Sequence, residues 1–410
     1  MRERAYALLR SRWFTVLAVT LTLILLAWRG LGGIRQLGTG RRDRMMDFGA
    51  YYAAAAAWRR GIDPYAHTPG AWAQTTSECG VPTEPTPYLY PPLALLPVLP
   101  FTWLPFELAS VIWTLLSIAT FTAAALLAAR VAGQPVAPFL LVLAFFFPAH
   151  VTLSYGQMNG IVLLTMVTFL YWTWRRRAAW AGLAIGVGTH LKLFPAGLVA
   201  YLLVRRRWHQ ALWATGAVAA LTLLGLFVFG LQTHLSFAVT RLGGLTGALF
   251  GPASAASGFA ADVFGIAAPR NPEQLPCPVL GALLLATGLL LAIGRPSLRG
   301  ETALAVTTLV LISPTGGYHH LTALLLPFWY LLDITLTGVA PWPVAAGAVL
   351  TWAAINLQWG LYWAVCHGLS FLAPLAPIGT WATLALWVLL AAALQCDRTH
   401  HSDLAPTVRH

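Results

Sequence analysis

Lysine is nearly absent from this chain: Lys192 is the single one among 25 basic residues, and the rest are arginine. Charge of either sign is scarce. Only 9% of the 410 residues are charged, against about 25% in soluble domains, which excludes an ordinary solvated fold. The formal net charge of +12 does not mark a nucleic-acid binder. Single-stranded grooves interleave aromatics with basic side chains on a polar surface, and no segment does so here. The four cysteines, Cys79, Cys277, Cys366 and Cys396, form no CxxC or Cys/His pattern, so no metal site is read from them. There is no DxD pair for the metal of a nucleotide sugar, no P-loop and no GxSxG. The sequence thus gives no sign of a nucleotide donor, a bound metal or another cofactor.

What the chain has instead is long apolar runs, with 58% hydrophobic residues. A helix needs about 20 such residues to cross ~30 Å of hydrocarbon. Candidate crossings are 13–28, 106–129, 136–153, 158–174, 209–231, 277–294, 302–318, 321–337, 341–356 and 374–395. No soluble domain fits between them, so residues 1–410 read as one integral all-α unit. The basic start, Arg2 to Arg12, precedes an apolar run with no small-residue cleavage site after it. It reads as an uncleaved first helix with its N-terminus in the cytoplasm.

Arginine clusters test that topology. Arg130, Arg175–Arg177, Arg205–Arg207, Arg295 with Arg299, and Arg398 should all be cytoplasmic by the positive-inside rule, as should the tail 396–410. Alternating crossings satisfy each of them if 178–204 enters and leaves on one side. Pro195 interrupts that segment. Two arms of 12 or 13 residues would each reach only about 18–20 Å. The expectation is a re-entrant helical hairpin with Lys192 near its tip. Segments 29–105, 232–276 and 357–373 then lie outside, with short turns at Tyr155–Asn159 and Ser313–His320. A disulfide among Cys79, Cys277 and Cys366 is open there, with no pairing indicated. Residues 243–261, rich in Gly, Ala and Ser, read as a loop.

The loop 29–105 carries a predicted helix from Met45 to Arg60, ended by Gly61 and Asp63-Pro64. Asp47 opens it, beside Phe48, Tyr51 and Tyr52, aromatics suited to a sugar-stacking or interfacial wall. A carboxylate against the membrane surface suits a base that takes a hydroxyl proton; the plain alternative is an acid favoured by the helix dipole. Asp43, Asp63, Glu78 and Glu84 share the loop. An ionisable group within an apolar segment costs about 2.5 kcal/mol or more, which makes Lys192 a candidate for an anionic lipid phosphate, or else a structural or snorkelling cation. His319-His320 follow a Pro and paired Gly that break an apolar run. They are candidates for contact with phosphate or acceptor, or plain buried histidines. Gln157 and Asn159 could bond sugar hydroxyls or simply satisfy backbone groups. Tyr88-Leu89-Tyr90-Pro91-Pro92 reads as an interfacial anchor.

The ordered series Asp47-Phe48-x-x-Tyr51-Tyr52-x-Ala54, Gly61-x-x-Pro64-Tyr65, Tyr90-Pro91-Pro92-Leu93, Gly156-Gln157-x-Asn159, Leu191-Lys192-x-x-Pro195, Arg205–Arg207-Trp208 and Ser313-Pro314…His319-His320 resembles glycosyltransferase family 87, of GT-C architecture. It spans roughly residues 45–330. The resemblance implies about 10–12 transmembrane helices and an inverting transfer. Mannose would leave polyprenyl-phosphate-mannose at the extracytoplasmic face of the plasma membrane and join a glycolipid acceptor of the phosphatidylinositol mannoside or lipomannan kind, commonly as an α-1,2 linkage. Asp47 would be the base, with His319, His320 and Lys192 at the donor phosphate. His190, where the family pattern leads one to expect a small or apolar residue, would add a second cation. Tyr51, Tyr52, Gln157 and Asn159 would contact sugar or acceptor. Other readings are a transferase using a polyprenyl-phosphate arabinose or glucose, or a transporter of lipid-linked sugars.

Overall fold

A computed structural model describes residues 2–35, 45–65, 69–82, 85–250, 277–293, 297–313, 318–375 and 378–403. Asp43, Glu84 and residues 251–276 lie outside the described residues. Among those described there are helices and turns but no strand. Helices α1 (Arg2–Leu9) and α2 (Arg12–Arg35) lead to α3 (Met46–Arg59) and α4 (Pro69–Glu78). Helix α5 (Phe106–Ala132) is followed by α6 (Val136–Ala144) and α7 (Phe147–Tyr155). Then come α8 (Asn159–Trp174), α9 (Ala178–Leu191), α10 (Gly197–Val204) and α11 (Trp208–Phe250). The chain ends with α12 (Cys277–Ile293), α13 (Leu298–Ile312), α14 (Leu325–Leu336), α15 (Trp342–Cys366) and α16 (Ile378–Asp403).

Among the described residues, α2, α5, α11, α15 and α16 are long and apolar enough to cross a membrane. The protein is a multi-pass membrane protein. The run 136–153, read from the sequence as a candidate crossing, is α6 and α7 meeting at a 62° bend. Pro148, in the first turn of α7, cannot continue a ladder from α6 because it has no N–H to give. Helix α11 is broken too, at Gly230 with φ 81° and ψ 162°. Helices α8, α9 and the segment Phe194–Val204 are shorter apolar pieces.

The break near Pro195 has a clear cause. Pro195 cannot donate to the carbonyl of Leu191, so α9 stops there and Lys192 is extended (φ −146°, ψ 138°). A 3-10 turn, Phe194–Ala196, carries the proline. Helix α9 packs closely on α11 through glycines. A Cβ on Gly182 would sit 2.6 Å from the Trp213 backbone, and one on Gly186 would sit 2.8 Å from Ala217. Small residues at such crossings let membrane helices gain contact area.

Two ends of the bundle are polar in different ways. At one, Glu301 is buried and takes ion pairs from Arg205 (2.7 Å) and Arg207 (3.0 Å) and a hydrogen bond from the Tyr201 hydroxyl (2.7 Å). Nearby, Arg299 pairs with buried Asp333, which also accepts from Gln134 at 3.1 Å. Gln134 in turn accepts from Tyr6 of α1 at 3.0 Å. The other end carries α3 and the turn between α7 and α8.

Candidate active site

Helix α3 forms because five alanines, Ala53–Ala57, have the highest helix propensity, and because its aromatics find a pocket. Phe48 stacks on Trp113 at 5.1 Å and packs against Phe101 and Phe106. Burial of such a ring is worth about 1.5–3 kcal/mol. The start of α3 is bonded to the α7–α8 turn: the Met45 amide donates to the Ser154 carbonyl at 2.9 Å. From the other side, the Trp113 indole donates to the Gly156 carbonyl at 2.7 Å. The turn that carries Gln157 is thus gripped by α3 and α5 together.

Gln157 is the hub. Its Oε1 accepts from the Tyr51 hydroxyl (3.0 Å) and the Tyr90 hydroxyl (3.3 Å). Burial first, then Tyr90 and Asp47, raise the Tyr51 hydroxyl well above its usual range, so it stays a donor. With both phenols on the oxygen, the amide nitrogen faces His319, 3.2 Å from Nε2. An amide donates there, so Nε2 accepts and the proton of the neutral ring lies on Nδ1. Burial, with the Lys192 ammonium second, holds the His319 imidazole well below its ordinary range. His319 is therefore neutral at pH 7.

Asn159 joins the same cluster. Its Nδ2 donates to the His319 carbonyl at 2.8 Å and to Thr152 Oγ1 at 3.3 Å. Its Oδ1 accepts from Lys192 Nζ at 2.6 Å. Helix α9 runs back along α8, so the C-terminal end of one meets the N-terminal end of the other. A cation suits a helix C-terminus. Lys192 also lies 5.5 Å from the centre of the Tyr90 ring.

The structure brings together Tyr51, Gln157, Asn159, Lys192 and His319. Asp47 is buried one helical turn from Tyr51, on the same face of α3, and its charge adds to the rise of the Tyr51 hydroxyl. His320 packs its ring 4.4 Å from that of His319. Two residues point elsewhere. Tyr52 donates to the Leu104 carbonyl at 2.8 Å. His190 meets the Gly186 carbonyl (2.8 Å) and Thr222 Oγ1 of α11 (3.0 Å). Tyr90, read as an anchor from sequence, is a member of the cluster. The signal that could have found it is its place in the Tyr-Pro-Pro-Leu element, among the same fragments as Gln157 and Lys192.

Among the described residues, no three His, Cys, Asp or Glu side chains gather as metal ligands would. A small, partly open cleft lies at the other end, lined by Phe139, Leu326, Trp329, Arg299 and Asp333 among others. None of the clustered residues lines it.

The profile of glycosyltransferase family 87 matches residues 88–314, more than half the chain. The protein belongs to that family. A Mycobacterium tuberculosis protein, the polyprenol-phosphate-mannose-dependent alpha-(1-2)-phosphatidylinositol mannoside mannosyltransferase, is 27% identical over 93% of this chain and 92% of its own length. The corresponding pentamannoside mannosyltransferase of the same species is 26% identical over 73% of this chain and 74% of its own. An alpha-(1->3)-arabinofuranosyltransferase of M. tuberculosis is 34% identical over 40% of this chain and 36% of its own. No solved structure matches the chain.

Proposed function

We propose that this protein is an inverting mannosyltransferase. It moves mannose from polyprenyl-phosphate-mannose to a glycolipid acceptor, a phosphatidylinositol mannoside or lipoglycan, forming an α-1,2 linkage. The observation that carries the reading is the cluster itself: one lysine ammonium, 2.6 Å from Asn159, tied through Asn159, His319, Gln157 and Tyr51 to the helix that bears Asp47. It joins a cation for a departing phosphate to a carboxylate for an attacking hydroxyl. Relatives matched over nine-tenths and three-quarters of the chain support mannose over arabinose.

In this reading the acceptor hydroxyl attacks C1 of mannose as the bond from C1 to the phosphate oxygen breaks. Asp47 takes the hydroxyl proton. The lipid phosphate leaves with its charge held by Lys192, so strong acid assistance is unnecessary. His319, being neutral, acts by hydrogen bonding and not as a cation, with His320 beside it. Gln157, Asn159 and Tyr51 offer hydrogen bonds to sugar and acceptor, while Tyr52 is turned to the Leu104 carbonyl and supports α3. His190 sits behind the lysine and holds α9 to α11. The positive-inside rule supports cytoplasmic termini and a reaction at the extracytoplasmic face, since arginine clusters follow the runs assigned to the inner side.

Purified protein in detergent, given radiolabelled polyprenyl-phosphate-mannose and phosphatidylinositol mannosides, should yield a longer glycolipid. The new linkage should be cleaved by an α-1,2-mannosidase. Transfer from polyprenyl-phosphate-arabinose with none from the mannose donor would replace the reading. So would movement of intact donor across vesicles without transfer.

A further inference from the structure

We propose that Tyr90 is a positioning residue for lipid-phosphate recognition, its ring aiming the Lys192 ammonium and its hydroxyl holding Gln157. The inference rests on the reading of the cluster as the donor site. A cation within about 6 Å of an aromatic centroid is attracted to the negative face of the ring, and Lys192 Nζ lies 5.5 Å from that of Tyr90. The phenol then serves a second role, donating to Gln157 Oε1 at 3.3 Å. One side chain therefore touches both the cation and the amide that fixes His319.

Tyr90 is itself held in place. Its ring meets Tyr51 edge-on at 5.0 Å and lies 5.7 Å from Tyr88. Its carbonyl accepts from the Tyr65 hydroxyl. Pro91 and Pro92 follow, with Pro91 extended at φ −54° and ψ 148°, a ring-locked backbone that loses little freedom on folding. Asn159 and Tyr90 are both uncharged. Both contacts orient the ammonium through neutral groups. Pre-oriented groups bind more tightly because less freedom is lost on binding.

Two lipids in the proposed reaction carry a phosphate, the isoprenoid donor and the inositol lipid acceptor. Lys192 is assigned to the donor, whose phosphate is the leaving group, and separate donor and acceptor KM values distinguish the two. Position 90 would be replaced by Phe, then by trifluoro- and pentafluoro-phenylalanine, which keep the shape of the ring and progressively reverse the charge of its face. Tyr90→Phe should leave the donor KM within about threefold of wild type, as loss of one neutral hydrogen bond allows. Fluorination should then raise it stepwise by about tenfold, with the acceptor KM unchanged. A role in packing alone would not follow ring charge. A flat donor KM across the series, or a rise in the acceptor KM alone, overturns the proposal. Binding of polyprenyl phosphate, without sugar, to the same proteins separates the two levels of inference. Wild-type protein that binds none overturns the donor-site reading and this inference together. Tight binding that ignores fluorination overturns only the role of Tyr90.

Discussion

Lys192, extended just past the end of α9, donates to Oδ1 of Asn159 at the start of α8 across 2.6 Å, and both are buried. The amide does more than neutral packing would. Its oxygen fixes the ammonium while its nitrogen fixes the His319 carbonyl. Asn159→Ala frees both at once. Hydrogen bonds to charged groups are worth about 1.5–3 kcal/mol, so the donor KM should rise about tenfold or more. Initial rates over a range of donor concentrations would measure it. An unchanged KM would separate Asn159 from phosphate binding.

Asp47→Asn keeps the size and burial of the side chain but cannot take a proton. General-base catalysis contributes about 100-fold to 10,000-fold, so transfer should fall by at least about 100-fold. Membrane insertion and polyprenyl-phosphate binding should stay as in wild type. A variant with near-normal transfer rates would remove the base assignment.

Much of this arrangement is legible from residue type alone. Gln157, Asn159, Lys192 and the histidine pair stand out as polar groups interrupting apolar runs, and their order points to the family. Their mutual contacts are not legible, because they depend on α9 running the full length of α8. Lys192, at the break between α9 and the returning segment 194–204, consequently sits level with Asn159. The rotation of α9 is equally invisible: His190, two residues earlier, is carried round to Thr222. Tyr90 is masked by its neighbours, since aromatics beside prolines at a membrane edge commonly serve as anchors. The bend between α6 and α7 is signalled only by Pro148, which also suits an unbroken helix start.

His319 should leave a mark on pH stability. Its folded imidazole is held well below the ordinary range by burial and then by Lys192. Above that range the ring is neutral in both folded and unfolded chains, so its contribution is complete. As pH falls through about 6.5, the unfolded chain takes up a proton that the folded chain refuses, and stability drops. Thermal unfolding in detergent at pH 7, 6 and 5 should show a falling midpoint. His319→Gln keeps an acceptor for Gln157 but cannot titrate, and its decline should be shallower. Parallel curves for the two proteins would contradict a buried neutral ring.

Glu301 carries the opposite end of the bundle. It is 1% exposed and faces Arg205, Arg207 and Tyr201. Removing one partner of a buried pair leaves uncompensated charge behind, at about 3–5 kcal/mol. The two guanidiniums keep some solvent, at 17% and 26% exposure, so about 3 kcal/mol is expected for Glu301→Ala. The midpoint of unfolding should drop by several degrees. In protein that remains folded, the donor KM should be unchanged, since the cluster around Gln157 lies at the other end. A changed donor KM with an unchanged midpoint would reverse that division of roles.

Two glycines offer a controlled test of how α3 is docked. Gly156 and Gly133 share nearly the same left-handed backbone, with φ of 71° and 68°. Alanine at either position meets the same backbone strain, about 1–2 kcal/mol. Their surroundings differ. A Cβ at Gly133 would find nothing within 4 Å, while one at Gly156 would lie 2.5 Å from Phe48 Cβ and 2.9 Å from Met45 Cε. Gly156→Ala must therefore push the start of α3, and Asp47 with it, away from the turn that carries Gln157. Overpacking adds about 1–3 kcal/mol. A shift near 1 Å at a reacting group can cost about 100-fold in rate. Gly133→Ala should lose stability and keep its turnover; Gly156→Ala should lose more stability and about 100-fold in transfer. Equal turnover in the two variants would mean that the docking of α3 on this turn does not place the base.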